Sequence, residues 1–166
     1  MLKMYTLDYD SPLGVLEIVG TSGAVHSVLF AERETALHGL REETPAVLAL
    51  CAAQLDEYFR GERFVFDVPY ATAGTPFQQK VWQALTAVGY GRTGSYRDVA
   101  AAIGHDKAVR AVGAANGRNK LTILIPCHRI IGSNRTLTGY AGGIWRKEWL
   151  LKHEAEALSG MRSTGF

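Results

Sequence analysis

Cysteine is nearly absent from this chain, with two among 166 residues, Cys51 and Cys127. Two thiols so far apart exclude a disulfide framework, leave no zinc-ligand spacing and point to a reducing, cytoplasmic setting. Long apolar runs are missing as well. None approaches the roughly 20 residues that cross a bilayer, so no membrane partner is expected. The opening stretch, MLKMYTLDYDSPLG, has acidic residues where a secretion signal needs its apolar core, so export is not expected either. Repeats and low-complexity tracts are absent, and 47% hydrophobic with 20% charged residues is the composition of an ordinary packed protein.

What is present is unevenly distributed. Residues 1–74 hold five Lys/Arg against eleven Asp/Glu (−6), and residues 75–166 hold thirteen against five (+8). Such a split suggests a C-terminal half that meets a polyanion and an N-terminal half that does not. Two solvated faces that merely balance would give the same numbers, so charge alone leaves both readings open.

Along the chain, MYTLDY, VLEIVG and AVHSVLF alternate like three short strands, joined by the turn segments SPLG and TSG. Spacing predicts a helix over 44–60 with Thr44 as its N-cap before Pro45, and FVFDVPY (64–70) reads as a further strand. The small-residue joint ATAGT marks the expected boundary between an N-terminal domain, 1–73, and a C-terminal one, 74–166. Beyond it the pattern turns helical. Thr75 caps and Pro76 opens FQQKVWQALTAV, which Gly89 and Gly91 end. Ser95 and Asp98 form a capping-box pattern for YRDVAAAI, stopped at Gly104. KAVRAVGAANG (107–117) follows, so these two short helices make a helix-turn-helix candidate. Between Ala108 and Gly117 the second of them is almost all Ala, Gly and Val, with Arg110 the long exception. It lacks the side chains that read base edges, but suits close backbone approach and shape recognition, or equally a tight helix–helix contact. Trp82, Trp145 and Trp149 are expected as packing residues, and His26, His38, His105 and His153 as surface or turn residues.

The chemistry concentrates in ILIPCHR. Cys51, within the apolar LALCAAQL, reads as a buried small hydrophobe. Cys127 differs: it ends an apolar run after a Pro and precedes His128 and Arg129, two groups able to favour a thiolate. Glu154 sits on the last helix, IWRKEWLLKHEAEAL, among Leu150, Leu151 and Leu158, where a carboxylate needs a partner, and a histidine would serve. Cys127, His128 and Glu154 thus form a nucleophile–base–orienter set. In an extended chain adjacent side chains point apart, so a water bridging Cys127 and His128 is expected.

These segments resemble the O6-alkylguanine-DNA alkyltransferases (methylated-DNA–protein-cysteine methyltransferases). The likeness runs through GTPFQQKVW, SYRDVA, VRAVGAANGRN, IPCHRIIG, TGYAGG and RKEWLLKHE, with weaker agreement at SPLG and Leu55–Glu62. It implies an α+β protein: a small α/β N-terminal domain with an antiparallel, ribonuclease H-like sheet, and a helical, winged helix-turn-helix C-terminal domain. Cys127 matches the alkyl acceptor, His128 its activating base and Glu154 the carboxylate that orients the histidine. Arg110 matches the arginine that fills the gap left by a rotated-out nucleotide. Tyr96 matches a tyrosine that crowds the neighbouring phosphate and is a candidate proton donor to the leaving guanine. Asn119 ties the loops around the cysteine. Ala108, Ala111, Ala115, Arg118 and Lys120 fall at DNA-facing positions, and Ile130, Tyr140, Ala141 and Gly142 at the substrate pocket. Two departures stand out, Lys120 in place of the usual Pro and Ala141 in place of a Ser found in some members. The implied reaction is single-use transfer from O6-alkylguanine in double-stranded DNA to Cys127, without cofactor or metal, by a monomer, with cooperative assembly on DNA left open. Activity on O4-alkylthymine is left open.

Two other functions fit parts of the sequence. A helix-turn-helix regulator without chemistry leaves IPCHRI unexplained. A Cys–His hydrolase needs its base to reach the thiol directly, which neighbouring positions make awkward, and has no use for a basic half.

Overall fold

The computed structural model describes residues 2–132, 134 and 136–163, with side chains given up to residue 160 in the last helix. The chain forms two compact units, one of residues 1–72 with 120–122 and one of residues 73–119 with 123–166. Among the described residues no helix is long and apolar enough to cross a membrane, and no group of three His, Cys, Asp or Glu is placed to hold a metal.

The first unit is built on an antiparallel sheet in the order β1 (Tyr5–Ser11), β2 (Gly14–Gly20), β3 (Val25–Phe30). Ser11 fixes the first turn, accepting from the Leu13 amide at 3.0 Å and donating to the Gly14 carbonyl at 2.7 Å. Thr21 fixes the second by accepting from the Gly23 and Ala24 amides. Helix α1 (Ala46–Phe59) buries Leu48, Cys51, Leu55 and Tyr58, while the sheet buries Leu7, Leu16, Ile18, Val25 and Val28. Cys51 is therefore the core thiol expected, pushed up to about 12 by burial.

Two expectations fail in this unit. Thr44 does not cap α1: its hydroxyl accepts from the Arg41 amide, and Pro45 occupies the N-cap position without a side-chain cap. Residues 64–70 form no strand, touching β3 only through a single parallel bridge, Val25 with Tyr70. Pro69 has no amide to donate, and Asp67 is drawn off the sheet by the Gln54 side chain, which accepts from its amide at 3.1 Å. The β3 edge is instead met further along by Lys120–Thr122, where Val28 donates to the Lys120 carbonyl and accepts from the Thr122 amide.

The second unit contains α2 (Pro76–Leu85), β4 (Gly94–Ser95), α3 (Tyr96–Ala102), α4 (Val109–Gly117), a 3₁₀ turn (Cys127–Arg129), β5 (Ile130–Ile131) and α5 (Ile144–Ser163). Thr75 caps α2 as expected, in a capping box that Gln78 completes, and the box expected of Ser95 with Asp98 forms on α3. Helices α3 and α4 make the helix-turn-helix, with Gly104 at φ +76° in the turn. Trp82 of α2 is buried and donates to the Ala115 carbonyl of α4 at 2.8 Å. Trp149 lies against His153, but Trp145, expected as packing, is 58% exposed at the start of α5. Strand β5 pairs parallel with β4 and so ties the end of the Cys127 segment to the start of α3.

Candidate active site

The cysteine is presented by two tight turns rather than by a strand. Pro126 (φ −81°, ψ 62°) centres an inverse γ-turn in which the Cys127 amide donates to the Ile125 carbonyl at 2.8 Å. The proline ring holds φ near the value this turn needs. The 3₁₀ turn follows, and with 3.0 residues per turn its successive side chains diverge by about 120°. The extended geometry expected from sequence is therefore corrected, although its consequence stands: no hydrogen bond joins Cys127 and His128. Upstream, Ile123 sits at φ +72°, an unusual place for a β-branched residue, and one of the strained backbone positions that gather near functional sites.

His128 and Glu154 are both fully buried, and Nε2 of His128 lies 2.7 Å from Oε2 of Glu154. A carboxylate only accepts, so it fixes the proton on Nε2 and leaves Nδ1 as a lone pair. That Nδ1 is buried and has no hydrogen-bond partner in the protein, which leaves it available as a base. Glu154 also accepts from Arg129, Nε to Oε1 at 2.9 Å and Nη2 to Oε2 at 3.1 Å, and from the Gly91 amide at 3.1 Å. Arg129 then spends Nη1 on the Val88 carbonyl at 2.7 Å. This corrects the role expected of Arg129: it neutralises Glu154 and is not placed to favour a thiolate.

Cys127 itself is 6% exposed. Burial pushes its thiol up, and this is opposed by the Asn119 side chain, the Lys147 ammonium and the cysteine's own backbone amide. Asn119 also donates to the Ile125 carbonyl at 2.9 Å, and Asn116 reaches the Cys127 carbonyl at 3.5 Å. Tyr140 brings its hydroxyl into the same buried region, where it has no hydrogen-bond partner and where burial, then the proximity of Cys127, raises it well above the usual phenol value. Ala141 is exposed and Gly142 partly so, on a loop held by Arg146, which donates to the Gly142 carbonyl at 3.0 Å. Ile130, expected to line the pocket, is fully buried with Cδ1 toward Gly94.

Tyr96 opens α3, and its hydroxyl lies 2.6 Å from Thr138 Oγ1. On α4 the exposed face carries Arg110, Ala111, Ala114, Gly117 and Arg118, with Ala108 half-buried before it. Ala115 is corrected: it is 2% exposed and turned inward over Trp82, and Ala114 takes its place on the outer face. Lys120 is exposed, with its backbone in the first unit.

Three site residues are missed by sequence reasoning: Arg129 in its actual role, Gly91 and Lys147. Lys147 has a legible signal. It precedes Glu154 by seven residues on α5 and so shares the face of Leu150, Leu151 and Leu158.

The buried pair makes stability depend on pH. Burial holds the His128 imidazole below its ordinary 6.5, against the opposing pull of Glu154. Burial alone would raise Glu154, but the hydrogen bonds and charges of His128 and Arg129 hold it below its ordinary 4.5. Each group binds fewer protons folded than unfolded, so acid favours the unfolded chain. The thermal midpoint is expected to fall as pH drops through 6.5 and to fall again below 4.5, whereas a flat profile from pH 7 to 4 would contradict this placement of His128 and Glu154.

Known proteins resemble this chain over most of its length. Residues 76–156 match the family model described as 6-O-methylguanine DNA methyltransferase, DNA binding domain, and residues 4–72 match its ribonuclease-like domain. The constitutive methylated-DNA–protein-cysteine methyltransferase of Bacillus subtilis is 49% identical over 83% of this chain and 87% of its own. A Methanosarcina acetivorans protein named methylated-DNA–protein-cysteine methyltransferase is 42% identical over 91% and 98%. The Mycobacterium tuberculosis OGT solved in complex with DNA superposes with a TM-score of 0.83 at 41% identity, over 92% and 94% of the two chains. Two family models that between them span nearly the whole chain, together with relatives at this identity, place the protein in the 6-O-methylguanine DNA methyltransferase family.

Proposed function

We propose that this protein repairs alkylated DNA by direct reversal, moving the alkyl group of an O6-alkylguanine onto Cys127. The observation that carries the reading is a buried cysteine beside a histidine whose Nε2 is locked by a carboxylate and whose Nδ1 is free of protein partners. The thiol proton passes to His128 Nδ1 through a bridging water, because the two side chains diverge along the 3₁₀ turn. The thiolate then attacks the alkyl carbon, forming an S–C bond as the C–O bond breaks, and the electron pair leaves with the guanine. Tyr96 donates a proton to that guanine. Glu154 stays ionised throughout and stabilises the imidazolium.

Burial of Cys127 means that a base stacked in duplex DNA cannot reach it, so the damaged nucleotide is rotated out. Unstacking costs a few kcal/mol, least for a weakly paired, damaged base. Between Val109 and Gly117 Arg110 is the one long side chain on the exposed face, with Arg118 just past the helix end, and Arg110 fills the space the nucleotide leaves. Its small neighbours Ala111, Ala114 and Gly117 let the helix backbone lie close to the DNA. The thioether product has no leaving group that water displaces, so each molecule acts once.

The test is intact-protein and peptide mass spectrometry after mixing with a duplex that carries one O6-methylguanine. One added methyl group on Cys127, absent in Cys127→Ser, is the expected result. Bound but unchanged DNA, with no gain in mass, would leave a lesion-binding protein in its place.

A further inference from the structure

Lys147 is a buried charge that the mechanism above does not use. Its side chain is fully buried on α5. Its ammonium donates to the Ile130 carbonyl and, at 3.4 Å, to the Thr138 carbonyl. Among the described residues no carboxylate lies within ion-pair distance of it. Two carbonyls solvate an ammonium but do not neutralise it, and an unneutralised buried cation is costly.

The other groups around the cysteine leave this charge unmatched. Glu154 is matched by Arg129, and His128 is neutral while its proton sits on Nε2. Tyr140 is a neutral phenol, with Arg146 beside it, and Asn119 carries no charge. The group left to become an anion is Cys127, on the turn whose Ile130 carbonyl Lys147 holds. Burial pushes the Cys127 thiol up and the Lys147 ammonium down, and against that burial each favours the charged form of the other.

We propose that Lys147 is the counter-ion of the Cys127 thiolate, a positioning residue that stabilises the nucleophilic form of the sulfur. Its two carbonyl contacts hold that charge in place. Ile130 ends the cysteine's own turn, and Thr138 belongs to the segment that leads to Tyr140 and meets Tyr96 through its hydroxyl. No atom of Lys147 is exchanged in the reaction, and the thiol proton still leaves through His128. A structural role alone would slow alkylation equally at every pH, whereas a counter-ion moves the midpoint of the thiol's titration.

The test follows iodoacetamide labelling of Cys127 against pH, without DNA, with peptide mass spectrometry separating Cys127 from Cys51. In Lys147→Met the midpoint is expected to rise by roughly one unit or more, with rates converging on the wild type at high pH. Lys147→Arg should keep the wild-type midpoint. An unchanged midpoint in folded Lys147→Met, or a loss equal at all pH values, overturns the proposal. If Lys147→Met does not fold, the Lys147 Cε signal is titrated by NMR in wild type and in Cys127→Ser. Loss of the partner anion should lower the ammonium midpoint, and identical midpoints overturn the proposal. Lys147 matters to repair only on the alkyl-transfer reading, but the thiol titration does not depend on it. A wild-type protein that fails to take methyl from DNA, yet shows the midpoint shift, would sink that reading and leave the counter-ion standing.

Discussion

Glu154→Ala is expected to lower the unfolding free energy by about 3–5 kcal/mol, the usual result of removing one partner from a buried ion pair. Three donors lose their acceptor at once: the His128 imidazole, the Arg129 guanidinium and the Gly91 amide. Arg129 is left as a buried cation with the Val88 carbonyl and the face of the Tyr90 ring to receive it, and no counter-charge. Against a typical stability of about 5–15 kcal/mol, urea denaturation should show a marginal protein. Glu154→Gln separates the catalytic part from the structural one. Its amide oxygen can still accept from Arg129 and Gly91, but its amide nitrogen faces another donor at His128 Nε2. The imidazole then carries its proton on Nδ1 and cannot accept one from the thiol. A folded Glu154→Gln protein whose methyl transfer is slower by roughly 10²–10⁴-fold is the expected outcome. Transfer at the wild-type rate would remove the base from His128.

Gly91→Ala should cost about 2–4 kcal/mol, for two separable reasons. Gly91 sits at φ +73°, where a Cβ is strained, and a Cβ there would lie 2.1 Å from Leu158 Cδ1 on α5. Gly104 provides the control. It has φ +76°, and nothing lies within 4 Å of the point a Cβ would occupy, so Gly104→Ala should lose only the backbone part, about 1–2 kcal/mol. Parallel denaturant melts of the two variants isolate the steric part. Because the Gly91 amide donates to Glu154, Gly91→Ala is also expected to slow methyl transfer while Gly104→Ala leaves the Glu154 network intact. Equal losses of stability in the two variants would mean that α5 yields freely around Leu158.

The features legible in the sequence are those that declare themselves locally. Alternation and turn residues mark β1 to β3, and Thr75 with Pro76 and Ser95 with Asp98 announce α2 and α3, because each signal lies within four residues of the bond it makes. Sequence misleads where a distant partner decides. Residues 64–70 have strand composition, but a strand needs a neighbour, and only Tyr70 finds one. The Thr44 hydroxyl has two amides to choose from and takes the one behind it. Arg129 stands beside the nucleophile in sequence, yet its partner is 25 residues away on another helix. The inward face of α4 is misplaced by one residue because small side chains carry almost no amphipathic signal. The triad is suggested by the apolar surroundings of Glu154, and the family resemblance names its roles.

The pairing of Lys120–Thr122 with β3 sets an order on synthesis. When residue 72 has left the ribosome, the sheet and α1 can assemble, but Val28 on the edge of β3 still has its amide and carbonyl unmet. The three residues that satisfy it arrive some fifty positions later (72 to 122). For that interval the nascent chain presents an open strand edge, the kind of surface on which chains associate wrongly. The same connection makes a genetic cut at the small-residue joint a poor one. A fragment that begins at residue 73 would carry Leu121, now 1% exposed, with no sheet to bury it.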